Sequence, residues 1–339
     1  MQSLQYKNKR DKNGRLLKYS AYKLAADFVN HSIEAISKYK IYKDLSQSYN
    51  KQYIEFYFRK LIFYEFLPIA HQLVIKEWDY NHNHNNGNLS IDASTLTCNE
   101  LLNTFQNIDN SVIFDYKGSL SGLQFFKRKY RNTLKKAIFF YHRVLYSLET
   151  KSSKLSKNNS PKIAVFLVEG LDLSKRSDIF WLSDSKIKPS SVLIYFSLKR
   201  SDAKPVISEL KKKNIQWVNL RGWSCKNKSY LEKDAFNLSK KNNFSTNIQD
   251  WLNYEVEYLL NNINYWYSFF KYFKIKVHSD KTEYGLETIV KQISLEKLNG
   301  ISFVSQRSNI DPQKGLFYAY YPVDIFFSWG LDSVKKNKE

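Results

Sequence analysis

Three polar segments of this chain hold the side chains best suited to chemistry. The first, Glu169 to Trp181, carries Glu169, Asp172, Lys175, Arg176, Asp178 and Trp181. The second, His278 to Glu283, supplies an imidazole and a carboxylate, and the third, Ser305 to Ser308, supplies Gln306 and Arg307. An imidazole with an ordinary pKa of about 6.5 can take a proton as a general base at neutral pH. Lys175, Arg176 and Arg307 suit a phosphate or a sugar hydroxyl. Asp172 and Asp178 suit a cation, or equally the turn and cap positions that short carboxylates favour. A single histidine at a strand end is also commonly a hydrogen-bonded structural residue, so both roles stay open for His278.

Most familiar catalytic phrases are missing. Gly170 follows a strand but stands in Glu-Gly-Leu-Asp, not in the glycine pattern that cradles a dinucleotide pyrophosphate. There is no P-loop, no strained serine elbow and no zinc-protease helix motif. His82 and His84 flank an asparagine-rich loop without a carboxylate or cysteine at a supporting spacing, so no metal is expected. The two cysteines, Cys98 and Cys225, are too few and too far apart for a disulfide framework or a zinc knuckle, which suits a reducing compartment.

Each polar segment follows a short apolar run, and these runs are what must position it. Lys162–Val168, Ser191–Phe196, Ile215–Asn219, Lys274–His278, Ile301–Val304 and Val323–Phe327 read as strands, β-branched and aromatic enough to be covered on both faces. Helical periodicity predicts Asp202–Lys213, Ile248–Phe273 and Leu286–Leu298 between them, the last closed by Asn299-Gly300. Strict alternation with right-handed crossovers predicts a doubly wound, mostly parallel, Rossmann-like α/β sheet. Ligands of such sheets bind beyond the carboxyl ends of the strands, where all three polar segments fall.

Upstream the pattern is helix-rich. Tyr22, Ala25, Val29, Ile33 and Ile36, then Ile54, Phe58, Ile62 and Phe66, recur at three- and four-residue spacing, and Pro68 should start or kink a helix reaching Trp78. Leu89–Ala93 and Val112–Tyr116 read as strands around a helix at Glu100–Phe105, a small βαβ piece. Gly122 to Leu148 predicts a helix with the apolar stripe Phe126, Tyr130, Leu134, Ala137, Ile138 and Tyr141, and cations mainly off it. Such a helix can dock on anionic lipid or serve as a core helix with a lysine-rich outer face. Lys151–Pro161 reads as a linker. The expected division is therefore 1–160 helix-rich, 161–330 α/β lobe and 331–339 disordered tail.

The net charge of +21 invites an anionic partner. Only ten of the 53 basic residues are Arg, however, and no nucleic-acid recognition motif is present, so nucleic acid is the less expected partner. The first residues lack an apolar signal core, and no run reaches the roughly 18 to 20 apolar residues of a spanning helix. A cytoplasmic protein is expected, peripheral at the inner membrane face if it meets lipid.

Four phrases carry a resemblance: Glu169-Gly-Leu-Asp-Leu-Ser-Lys-Arg-Ser-Asp-Ile-Phe-Trp181, Ser191-Val-Leu-Ile-Tyr-Phe196, Ile301-Ser-Phe-Val-Ser-Gln-Arg307 and Val323-Asp-Ile-Phe-Phe-Ser-Trp-Gly330. Across Lys162 to Gly330 the chain resembles surface-polysaccharide biosynthesis proteins of the GT-B glycosyltransferase type. The last phrase is similar to the strand by which such chains pass from their amino-terminal lobe to the carboxyl-terminal one. The resemblance implies an acceptor-side lobe, with His278 and Glu283 as catalytic residues. It makes Glu169, Asp172, Lys175, Arg176, Asp178, Trp181, Gln306 and Arg307 substrate-binding residues, with no metal or other cofactor. It also implies a nucleotide-sugar donor held by a second lobe, which would lie beyond Glu339 or in another chain, and a glycan or lipid-linked acceptor. Two other readings stand beside it: a basic nucleic-acid-binding protein, and a non-catalytic scaffold that docks on a membrane surface or a partner through Gln124–Leu145.

Overall fold

The structure, a computed structural model, describes residues 6, 8–83, 89–93, 95–105, 112–115, 162–168, 170–171, 178–221, 223, 247–280, 285–305 and 322–327. In chain order its elements are α1 (Leu17–Ile36), α2 (Lys40–Ser48), α3 (Lys51–Asn83), β1 (Leu89–Asp92), α4 (Asn99–Asn103), β2 (Val112–Asp115), β3 (Ile163–Phe166), β4 (Val192–Phe196), α5 (Arg200–Lys212), β5 (Gln216–Asn219), α6 (Ile248–Tyr272), β6 (Val277–Ser279), α7 (Leu286–Glu296), β7 (Ile301–Ser305) and β8 (Ile325–Phe327). Two compact units result. The linker read at Lys151–Pro161, the helix read at Gly122–Leu148 and the tail 331–339 lie outside the described residues.

The first unit contains α1 to α4, β1, β2 and residues 248–260 of α6. Buried residues recur every three or four positions along α1, and its Phe28 stacks on Phe66 of α3 with ring centroids 3.9 Å apart. Pro68 neither begins nor ends a helix: α3 runs through it, with Phe66, Ile69 and Ala70 fully buried on either side. Tertiary burial thus holds a helix across a residue that removes one backbone donor. β1 and β2 pair in parallel as a two-stranded sheet of their own, apart from the larger sheet. Glu65 accepts from the Thr97 amide and hydroxyl, at 3.1 and 2.6 Å, and Glu100 accepts from the Ile248 amide at 2.6 Å.

The second unit is an α/β fold on a six-stranded sheet ordered β5-β4-β3-β6-β7-β8, with every pairing parallel. The first of its strands in the chain lies inside the sheet, and the order reverses between β3 and β6. All five residues of β4 are buried, as a strand covered on both faces requires. On one face Val165, Val192, Ile194 and Phe196 pack with Ala203, Ile207 and Leu210 of α5. On the other, Phe166 packs on Tyr195, Tyr195 meets Trp266 and Phe269 of α6, and Lys291 arrives from α7. Each fully buried large apolar side chain contributes about 1.5–3 kcal/mol.

Three helix-to-strand turns repeat one device. Ile215, Ile275 and Gly300 donate backbone bonds five residues back, to Leu210, Phe270 and Leu295, at 2.9, 2.9 and 3.0 Å. Between helix and strand, Asn214, Lys274 and Asn299 hold φ values of 55°, 52° and 52°. This is the left-handed helix stop that satisfies the last carbonyls. It also moves one predicted boundary: β6 begins at Val277, not Lys274, because Lys274 is the left-handed turn residue and Ile275 is the apolar residue buried behind it.

Candidate functional site

Of the residues nominated from sequence, Glu169, Asp172, Lys175, Arg176, Glu283, Gln306 and Arg307 lie outside the described residues. Asp178, Trp181 and His278 are described, and the fold does not bring the three together.

Asp178 is buried at the end of β3, where one carboxylate oxygen accepts from the amides of Val168 and Gly170 at 2.7 and 3.0 Å. Gly170 has φ +126°, a conformation that L side chains rarely adopt, and this turns its amide toward the carboxylate. Trp181 donates from its indole to the Asp178 carbonyl at 3.1 Å, and its ring meets Phe303 edge-on at 6.3 Å. Both residues act within the α5 face of the sheet and fold the segment after β3 back on the strand end. In this geometry both residues shape that segment.

His278 faces the opposite side. It is buried, and its Nε2 shares a 2.6 Å hydrogen bond with the Tyr195 hydroxyl from β4. Burial lowers its pKa to about 3, with Lys291 adding to the depression and Asp280 opposing it. Burial likewise holds Tyr195 well above its ordinary range, helped by the negative charge of Asp280. Both side chains are therefore neutral at physiological pH. An imidazole this acidic is a poor proton acceptor, and in this geometry His278 is a buried partner of Tyr195 rather than an open base.

Beside this pair stands an ion pair that sequence reasoning missed. Lys291 Nζ lies 2.7 Å from Asp280 Oδ2, and both residues are 2% exposed. The ammonium also sits over the rings of Trp266, Phe166 and Tyr195, at 4.6, 4.9 and 5.4 Å to their centroids. Glu287, one helical turn earlier and 61% exposed, reaches within 3.7 Å of it. A charged path thus runs from solvent at Glu287 through Lys291 to Asp280. It lies at the carboxyl end of β6, beside the point where strand order reverses, where ligands of open parallel sheets bind. The sequence did hold a signal for Lys291. It is the only cation between Leu286 and Leu295, in a helix whose other residues from Thr288 to Leu295 are also buried.

No protein-family model, curated protein or solved structure matches this chain. The site must therefore be read from its own chemistry. Among the described residues no group of His, Cys, Asp and Glu side chains could hold a metal ion. His82 stacks on Trp78 with its Nδ1 2.9 Å from the Trp78 carbonyl, while His84 lies outside the described residues. Cys98 is buried, and burial pushes its thiol up to about 12, too high to form a nucleophilic thiolate at neutral pH. Asp280 and Lys291 neutralise each other in the interior and fix the end of β6, and Glu287 is the member of this charged group that solvent or a ligand can reach.

Proposed function

We propose that the second unit is a Rossmann-like, doubly wound lobe serving the acceptor side of a glycosyltransferase of the GT-B type, in surface-polysaccharide synthesis. The observation that carries this reading is the strand order, with the first strand inside an all-parallel sheet and a reversal between β3 and β6 beside the Asp280–Lys291 pair. Helices on both faces of that sheet support it. In this reading a second lobe, in the same polypeptide or another, holds the sugar nucleotide. Glu283, Arg307, Lys175 and Arg176, in the sequence segments that follow β6, β7 and β3, are the acceptor-binding candidates. The buried Asp280–Lys291 pair fixes the end of β6, from which the segment carrying Glu283 departs. The helices of the first unit form an extension to this lobe, and the chain works in the cytoplasm at the inner face of the membrane.

The test is calorimetric titration with a panel of sugar nucleotides and oligosaccharide acceptors, on the chain alone and with a second nucleotide-binding lobe supplied. The expected result is acceptor binding by the chain alone and sugar transfer only when the second lobe is present. An absence of both acceptor binding and transfer, in every arm, overturns the reading.

A further inference from the structure

All strands of the second unit start at one edge of its sheet because every pairing is parallel. That amino-terminal edge is lined with lysine. Lys162 precedes β3, and Lys188 precedes the short turn Pro189–Ser191 that opens β4. Lys211 and Lys212 close α5 ahead of β5, Lys274 forms the turn into β6, and Lys297 follows α7 ahead of β7. All six are exposed.

The row is continuous. The Lys162 amide donates to the Ser191 carbonyl at 2.9 Å, and the Lys162 carbonyl accepts from Val277 at 2.9 Å. The Ile301 amide donates to the Lys276 carbonyl at 2.8 Å, and Gln216 donates to the Ser190 carbonyl at 2.8 Å. Five adjacent strands, β5 to β7, are tied together in this way, a row about 20 Å wide at ordinary strand spacing. Two further lysines are engaged locally: Lys276 donates to the Leu298 carbonyl and Lys213 pairs with Glu209. The acids described on the segments leading into these strands are Asp184, Glu209 and Glu296, too few to balance the row.

Two exposed apolar groups stand in the same edge. Tyr272, the last residue of α6, is 65% exposed between Lys271 and Lys274, and Ile301, the first residue of β7, is also exposed. The carboxyl-terminal edge is mixed in sign: Lys199 and Arg200 after β4 and Arg221 after β5 stand with Asp202, the exposed Glu287 and the buried Asp280–Lys291 pair.

We infer that the amino-terminal edge of this sheet docks on a bilayer surface containing anionic lipid. Compact, strongly hydrated ammonium groups are drawn to a negative headgroup layer, and an amphipathic tyrosine settles at its boundary with the acyl chains. No arginine stands in the row, so the bidentate fork that favours nucleic-acid phosphates and guanine is missing there. The inference uses surface charge alone and does not depend on the sugar-transfer reading. Docked this way, the carboxyl-terminal edge and any ligand on it face away from the lipid.

The test is flotation of the full chain with phosphatidylcholine vesicles, and with phosphatidylcholine vesicles containing phosphatidylglycerol. Two triple variants are compared: Lys188→Gln/Lys211→Gln/Lys212→Gln at the amino-terminal edge, and Lys199→Gln/Arg200→Gln/Lys204→Gln at the start of α5, by the opposite edge of the sheet. All six residues are exposed, and an unchanged thermal melt confirms that each variant folds. The expected result is flotation with the anionic vesicles only, abolished by salt. The first variant should weaken it by about fivefold per lysine, compounding to about a hundredfold, and the second by much less. Equal weakening by the two variants, or flotation with neither vesicle, overturns the inference. So does retention of duplex DNA, with the same variant dependence, at a salt concentration that has already released the vesicles.

Discussion

Lys291 and Asp280 stand 2.7 Å apart in the interior of the α/β unit, one on a helix and the other just past the end of a central strand. Three aromatic rings close over the ammonium and leave the exposed Glu287 as its link to solvent. Two charges withdrawn from water repay their desolvation only when each holds the other in good geometry. Removing one of them is therefore far worse than removing both.

Lys291→Met is expected to lower stability by about 3–5 kcal/mol, because it strands a buried carboxylate, and Asp280→Leu by a similar amount. The double variant Lys291→Met/Asp280→Leu should recover most of that loss, since neither charge is left. Urea unfolding of the three variants checks this. A double variant as unstable as the sum of the singles would show that the pair is not the coupled unit described here.

His278 predicts an acid-sensitive fold. Its folded pKa, about 3, lies below the unfolded value of about 6.5, so the unfolded chain takes up a proton that the native chain refuses. Stability is complete above the unfolded value and falls as pH drops from there toward about 3. Between about pH 7 and about pH 5 the loss from this one group is about 2 kcal/mol. His278→Gln should remove that part of the slope while lowering stability at neutral pH. A slope unchanged in the variant would assign the acid sensitivity to other groups.

Asp178 holds the segment after β3 through two amides. Asp178→Ala should lower stability by about 1.5–3 kcal/mol and speed hydrogen exchange at Val168 and Gly170. Asp178→Asn, which keeps a neutral acceptor, should fall between the variant and the native chain. Unchanged protection at those two amides in the alanine variant would contradict the assignment.

The turns into β6 and β7 make opposite demands on glycine. Lys274 is strained at φ 52°, so Lys274→Gly should stabilise the unit by about 1 kcal/mol. At Gly300 a Cβ would come within 2.6 Å of the Leu295 side chain and 3.0 Å of the Lys276 carbonyl, so Gly300→Ala should destabilise. Thermal melts that move both variants in the same direction would refute this account of the two turns.

Much of the α/β unit was legible in the sequence. The β-branched and aromatic runs located its six strands to within a few residues, and their apolar continuity implied parallel pairing with helices on both faces. Asn299-Gly300 announced a helix stop, although the left-handed residue there is Asn299 and the glycine serves close packing. His278 was found as a residue type, but its environment was not. A polar residue at a strand end looks the same in sequence whether water or Tyr195 lies opposite it.

What the sequence by itself determined was which residues prefer strand or helix and how charge is distributed along the chain, because those follow from side-chain shape and periodicity within one element. Only the tertiary structure decided that Tyr195 meets His278 across 83 residues, that Asp280 meets Lys291, and that the lysines before five strands form one edge. Periodicity records which face of an element is buried, but not which neighbour buries it, and strand order alone sets that neighbour.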